Sequence, residues 1–257
     1  MRKKIKLIIL LSIISMLIIS CSQQKPKSKP KKSKIPSKFT SVVLNTNQTI
    51  NDLEEFYLKR KKETQKKKQK KEKQKKKKQK EKNKKQNPSK KEKTWNKIEK
   101  KIKKIHQDWN SYETESKLDG KKLNKIEQKL NDLTEVATQK KILISLWKAN
   151  QFHLNLAKLY NKYDAKIGIK KKIIAYTRKI VYLTWLDESK NKKLADINKL
   201  KNLVSDLKVK IKTKNKKKIK EVNKAVKDLE IAVKQDTTKV IKIKSDLIKT
   251  KIKNLKT

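Results

Sequence analysis

Hydrophobic and polar positions divide the chain into a short apolar start, a long polar stretch and a periodic remainder. In the remainder, apolar residues such as Trp95, Ile98 and Ile102 step by three and four, which places them on one helix face. This spacing continues towards the C-terminus, and no proline follows Pro88. The pattern predicts an all-α protein, in which a disordered Lys-rich tether precedes an antiparallel bundle of about five to seven helices over residues 90–257.

Capping signals and polar stretches mark the predicted boundaries of the first helices. Ser89 and Glu92 have the spacing of a capping box, so a helix is expected to start there. A polar stretch over 111–116 ends this helix, and Asp119 is placed to cap the next one, which continues to a boundary near Thr138. These signals predict two amphipathic helices in the first part of the bundle.

Two helices with wider apolar surfaces are expected at the centre of the bundle. The segment Ile142–Tyr163 is apolar around more of its circumference than its neighbours, which predicts the most buried helix. Gly168 suits a turn after it, and residues 169–185 form a second apolar-rich segment. Because this second segment is rich in β-branched residues, a strand is the alternative there.

The C-terminal third carries narrower apolar stripes and one interruption. Stripes over 194–211 and 219–233 predict two helices, and Asp236 then occupies a position where the heptad pattern requires an apolar residue. Asp236, Thr237 and Thr238 are therefore expected to cap a separate final helix. An unbroken C-terminal helix of about 40 residues would instead favour a coiled coil and a homo-oligomer.

The apolar start has the organisation of a bacterial export signal. Basic residues between 2 and 6 precede an uncharged apolar run over 7–19, which is shorter than the roughly 20 residues that a membrane-spanning helix needs. The run ends at Ile-Ile-Ser-Cys21, and Cys21 is the only cysteine. We expect residues 1–20 to be a lipoprotein signal peptide and Cys21 to carry the lipid, with an ordinary signal peptide or an uncleaved anchor as alternatives.

Residues 21–89 are predicted to form a disordered basic tether. The segment combines low hydrophobicity with high positive charge, which is typical of disordered chains. Its apolar islands, 39–44 and 53–58, are expected to form a short helix or to dock on the bundle. A nine-residue repeat over 59–85 contains 18 basic and 3 acidic residues, and repulsion between them predicts an extended coil that becomes helical on a polyanion.

The formal net charge of +51 indicates an anionic partner or surface. The candidates for polyanion binding are lysines of the repeat, namely Lys66, Lys67, Lys68, Lys75, Lys76, Lys77 and Lys78. A solvated spacer is the alternative interpretation of the repeat, because Lys outnumbers Arg by 73 to 3 in the whole chain. Export from the cytoplasm disfavours an intracellular nucleic acid as the ligand.

Residues that carry catalysis are scarce. Of the two histidines, His153 lies in an apolar segment and is expected in the core, whereas His106 is expected at the surface. No metal-ligand spacing, phosphate-binding loop or nucleophile motif is present, so we expect a protein that is not an enzyme and has no metal site or cofactor. Arg178, inside an apolar-rich helix, is the candidate ligand contact, with a structural pair to Asp164 or Asp187 as the alternative.

Three features carry a resemblance to a known group of proteins, namely the motif ending in Cys21, the Lys-, Asn- and Ile-rich tether with its charged repeat, and the helical C-terminal domain. The chain resembles the surface lipoproteins of Borrelia-type spirochaetes, including the virulent-strain-associated lipoproteins. Lipoproteins of low-GC Gram-positive bacteria share much of this composition. The resemblance implies display at the bacterial cell surface or outer membrane and binding of host molecules.

Two functions are compatible with these features. The first is a lipid-anchored, surface-exposed, noncatalytic binding protein, which acts as an adhesin or binds a host protein, a glycosaminoglycan or another polyanion. The alternative is an envelope structural lipoprotein, which binds the anionic cell wall or membrane surface through its lysines. In both, the lipidated Cys21 is the contact with the membrane.

Overall fold

The computed structural model describes residues 34–74, 90–116, 118–211 and 215–255, which belong to one compact unit. The regular structure in these ranges is helical, without strands, as predicted. The helices are α1 (Ser37–Gln74), α2 (Lys90–Glu115), α3 (Gly120–Thr138), α4 (Ile142–Tyr163), α5 (Ala165–Trp185), α6 (Lys190–Lys210), α7 (Lys216–Lys234) and α8 (Thr238–Lys253). None of these helices has an apolar stretch long enough to cross a membrane.

The helices associate as two successive rings of four. α1 contacts α2 and α4, and α3 lies between α2 and α4, which closes the first ring. α5 contacts α6 and α8, and α7 lies between α6 and α8, which closes the second ring. α4 and α5 pack against each other and join the two rings. Short connections place most successive helices antiparallel, as in an up-and-down bundle.

The apolar positions predicted from helical spacing fill the interior of both rings. Trp95, Trp109 and Tyr112 of α2 are fully buried, and Leu146 and Phe152 of α4 lie in the same core. α4 and α5 are rich in buried residues over their whole lengths. The two helices with wide apolar surfaces are thus the ones that link the rings.

α1 is the main difference from the predicted domain organisation. Phe39, Ile50 and Leu53 are fully buried on one face of α1, so the packed unit includes part of the predicted tether and begins well before residue 90. Both apolar islands of the tether dock on the bundle within this single helix. The average hydrophobicity of the segment is low because its other faces are polar, and only the spacing of the apolar residues reveals the buried face.

α1 continues through Gln74, so the first part of the basic repeat is helical and not an extended coil. Lys, Gln and Glu have high helix propensity, and the packed first half of α1 supplies the nucleus from which the helix propagates. Residues 1–33 and 75–89 lie outside the described residues; they hold the predicted signal peptide, Cys21, the rest of the repeat and Ser89.

Most predicted boundaries within the bundle agree with the structure. Asp119 caps α3 by accepting a hydrogen bond from the backbone N–H of Lys121 at 3.1 Å, and α3 ends at Thr138 as predicted. α4 has the predicted bounds. α2 runs to Glu115, through most of the polar stretch that was expected to end it, because Tyr112 in this stretch packs in the core.

The predicted turn at Gly168 is wrong. The turn lies at Asp164, whose carboxylate caps α5 by accepting hydrogen bonds from the backbone N–H groups of Lys166 and Ile167. Gly168 lies in the first turns of α5, where an added Cβ would be 3.2 Å from the backbone carbonyl oxygen of Ala157 and 3.2 Å from Cβ of Tyr160, both in α4. This glycine therefore permits the close approach of α4 and α5, and its backbone is ordinary helix.

A break at residues 235–237 separates α7 from α8, so the C-terminal region contains two helices and not one of about 40 residues. Asp236 has a left-handed φ of 52°, and its carboxylate accepts a hydrogen bond from Nζ of Lys193 at 2.7 Å. Thr237 occupies the N-cap position of α8 without a side-chain cap. The break is as predicted, whereas the acid at this position pairs with α6 and does not cap α8.

Candidate ligand-binding surface

A basic groove runs along the outside of the first ring, between α1 and α2. Its α2 wall carries five lysines at helical spacing over roughly 16 Å of helix. We name it the α1–α2 groove; it has a volume of about 520 Å³ and is lined by Asn45, Gln48, Lys93, Asn96, Lys97, Lys100, Lys101 and Lys104. The neutral amides of Gln48 and Asn96 add hydrogen-bond donors to the positive charge.

Two carboxylates hold some of these lysines in place. Asp52 of α1 accepts hydrogen bonds from Nζ of Lys101 at 2.6 Å and from Nζ of Lys97 at 3.4 Å. Asp108 of α2 accepts one from Nζ of Lys104 at 3.0 Å and two more from side chains of α1. Burial of Asp108 opposes its ionisation, but these hydrogen bonds outweigh that effect and its pKa lies below the ordinary value.

The α1–α2 groove stays positive after this pairing. Five ammonium groups face two carboxylates, and Lys93 and Lys100 have no acidic partner among the described residues. Lysines that are already fixed by ion pairs lose less conformational freedom when a ligand binds. The groove therefore has the charge and the shape to receive an extended anion.

Arg178, the predicted ligand contact, is buried where the two rings meet. Its side chain is 5% exposed and donates from Nη1 to Oδ1 of Asn47 at 2.9 Å and from Nη2 to Oδ1 of Asn51 at 3.1 Å. Glu54, one turn further along α1, lies 3.9 Å from Nε of Arg178. These contacts correspond to the structural alternative, with partners on α1 in place of the two predicted aspartates.

Glu54 extends this network into the second ring. It accepts a hydrogen bond from the hydroxyl of Tyr182, and its Oε2 lies 4.0 Å from Nζ of Lys249 in α8. Burial and the neighbouring carboxylate raise the pKa of Tyr182 well above its ordinary value, so the phenol stays a neutral donor. The network ties α1 to α5 and α8.

The two histidines differ in their surroundings. His153 is fully buried in α4, as predicted, with Nε2 3.4 Å from Nδ2 of Asn47, and burial together with nearby cations holds its pKa well below the ordinary value. His106 was expected at the surface but is half-buried, because it faces α3 and its Nε2 lies 2.8 Å from Oγ1 of Thr134. Within the described ranges, no group of three His, Cys, Asp or Glu side chains is arranged to hold a metal ion.

The lysines predicted from the repeat lie on or beyond the second half of α1. Lys66 and Lys67 are exposed there, and Lys68 belongs to the same helix, whereas Lys75, Lys76, Lys77 and Lys78 lie outside the described residues. The α1–α2 groove was not predicted. The spacing of its lysines on one face of α2 is visible in the sequence, but the opposite wall belongs to α1, in a segment whose composition predicts a disordered tether.

Known proteins supply no further guide to this surface. No protein family matches the chain, and neither a curated protein nor a solved structure matches it. Its function is therefore inferred from its own residues.

Proposed function

We propose that this protein is a lipid-anchored, surface-exposed, noncatalytic binding protein whose ligand is a polyanion or a host protein with an anionic surface. The observation that carries the proposal is the α1–α2 groove, where five lysines face two carboxylates along one side of the bundle. An extended polyanion such as a glycosaminoglycan can contact these lysines in succession and release its counterions. The exposed Lys66 and Lys67 of α1 add positive charge to the same molecule.

Lipidation at Cys21 would bring this surface close to the membrane. Because α1 begins at Ser37, only about 15 residues separate Cys21 from this helix, and a segment of this length reaches at most about 50 to 55 Å in any conformation. The resemblance to spirochaetal surface lipoproteins supports an outward-facing location. Replacing Cys21 by alanine should abolish incorporation of labelled palmitate and release the protein from membranes, and a variant that keeps both would contradict the anchor.

Binding to immobilised heparin tests the groove. Full-length protein in nonionic detergent is compared with a variant carrying Lys93→Gln, Lys97→Gln and Lys100→Gln. If these three lysines contact the polyanion, the slope of log affinity against log salt should decrease by about 2 to 3, because each lost contact removes about one released counterion.

A control variant with the same loss of charge distinguishes an effect of the groove from an effect of the net charge. Lys217, Lys220 and Lys224 are exposed on α7, in the other ring, and their replacement by glutamine leaves the groove intact. The proposal requires this control to bind almost as well as the unmodified protein. Equal weakening of both variants, or binding that does not depend on salt, would contradict a specific role of the groove.

Protease treatment of intact cells separates this function from the envelope structural alternative. A surface-displayed binding protein is removed by an added protease, whereas a structural lipoprotein that holds the inner envelope is protected until the cells are opened. Heparin affinity alone does not distinguish the two, because lysines that bind a host polyanion also bind an anionic cell wall.

A further inference from the structure

A second basic depression lies on a different side of the first ring. It opens between the middle of α1, the start of α2 and the connection from α3 to α4, with a volume of about 530 Å³, within the usual size range of small-ligand pockets. Its lining residues are Tyr57, Arg60, Lys61, Thr64, Gln65, Lys91, Lys140, Ile142 and Leu143. We name it the Arg60 cleft.

The Arg60 cleft combines a cationic rim with an apolar floor. Arg60, Lys61, Lys91 and Lys140 are exposed, no carboxylate of the described residues lines the cleft, and none of these four cations forms an ion pair with a described residue. The floor consists of the half-buried Tyr57 and two aliphatic side chains of α4. Because Lys is the usual base in this chain, the arginine is notable: its planar guanidinium can bind an oxyanion through two parallel hydrogen bonds.

Two of the lining residues are held in fixed positions. The ring of Tyr57 packs against Trp185 with centroids 4.7 Å apart, and burial raises the pKa of Tyr57, which keeps its hydroxyl as a donor. Lys140 has a left-handed φ of 55°, a conformation that favours glycine, and its N–H donates to the carbonyl of Ala137 at 2.8 Å. A cation therefore stands on the rim at a position where glycine would be more stable.

The Arg60 cleft is separate from the α1–α2 groove. Lys91 precedes Lys93 by two residues, which corresponds to a rotation of about 200° around α2. Lys93 thus points away from the cleft, the other groove lysines lie further along α2, and the two sites share no lining residue. A ligand in one of these sites does not occupy the other.

We propose that the Arg60 cleft binds a sulfated sugar unit, with the sulfate oxygens on the cationic rim and the C–H face of the ring on Tyr57 and the aliphatic floor. This inference rests on the proposed function. The cleft would hold one saccharide unit of a polyanion, and the other units of that polyanion would lie outside the cleft. A floor of three side chains matches one ring and is too small for the acyl chains of a phospholipid. A short ligand reports on the cleft alone, whereas long heparin also reports on the groove.

The experiment is calorimetric titration of the full-length protein, in nonionic detergent, with a fully sulfated heparin disaccharide. Arg60→Gln and Lys140→Gly should each weaken binding about 10-fold, since each removes a charge-assisted contact, and Tyr57→Leu should weaken it by removing the ring surface. Lys140→Gly should also raise the Tm by about 2 to 4 °C, because glycine relieves the left-handed backbone. Loss of binding in a protein that is more stable cannot result from unfolding.

The control removes two lysines from another basic surface. Lys122 and Lys125 are exposed on α3 beside an apolar patch, and their joint replacement by glutamine should change disaccharide affinity less than about twofold. Equal loss in this control, or unchanged affinity in all three cleft variants, overturns the inference. So does cleft-dependent binding of phosphatidylglycerol vesicles without binding of the disaccharide. Absence of heparin binding in the unmodified protein would instead refute the polyanion version of the proposed function, on which the inference rests.

Discussion

Arg178→Met tests whether the buried network fixes α1 onto the second ring. The substitution keeps the apolar stem of the side chain and removes two hydrogen bonds from a charged donor, to Asn47 and Asn51. Hydrogen bonds that involve a charged group contribute about 1.5 to 3 kcal/mol each. We take the lower end of this range, about 3 kcal/mol for the two hydrogen bonds together, because Asn51 is exposed and its amide can bind water after the change. Glu54 also keeps its contacts with Tyr182 and Lys249.

The measurement is urea unfolding of the full-length protein followed by helical circular dichroism. The fitted free energy of unfolding should decrease by about 3 kcal/mol. In thermal unfolding, the same loss corresponds to a decrease in Tm of about 6 to 12 °C for a chain of this size. The matched control is Arg60→Met, which changes the same residue type on the exposed side of α1 and should alter stability by less than about 0.5 kcal/mol. A loss below about 1 kcal/mol for Arg178→Met would refute the structural assignment and restore the ligand contact.

Three further predictions concern buried or strained positions. Because burial keeps His153 neutral in the fold, whereas the unfolded chain is protonated below about pH 6.5, the free energy of unfolding should decrease there by up to about 1.4 kcal/mol per pH unit. Urea titrations at pH 7.5 and 5.5 should show this decrease, and His153→Gln should lack it. Gly168→Ala should lower the unfolding free energy by about 1 to 2 kcal/mol, because crowding against the Ala157 carbonyl outweighs the gain in helix propensity, while Gly120→Ala, with open space around it, should not. Asp236→Asn tolerates the left-handed backbone and keeps an acceptor oxygen but leaves the buried ammonium of Lys193 without its carboxylate, so thermal unfolding should show a loss of about 1 kcal/mol.

Periodicity and capping chemistry predict a helix well when its signals are local. The cap at Asp119 and the bounds of α4 agree with the structure, because each depends on a few adjacent residues. Gly168 shows the limit of such reasoning. A glycine between two helices suggests a turn, but this one is required by the distance between α4 and α5, which no local pattern contains.

The candidate sites were less accessible to prediction than the helices. Arg178 stands out in the sequence because arginine is rare in the chain, but its contacts are internal, since its hydrogen-bond partners are on α1. Those partners are more than 120 residues away in sequence and lie in the predicted tether. The α1–α2 groove and the Arg60 cleft were missed for the same reason, because α1 forms a wall of each.

α1 therefore determines how the basic charge of this chain becomes a surface. Without it, the apolar faces of α2 and α4 that pack on α1 would be exposed, and the first ring would have three helices. A fragment that begins at residue 90, the boundary suggested by composition, would lack one wall of the groove and five of the nine residues lining the cleft. If such a fragment bound more weakly, the cause could be either the loss of α1 as a structural element or the loss of the basic residues on it. Point substitutions in the complete chain are the tests that separate these two causes.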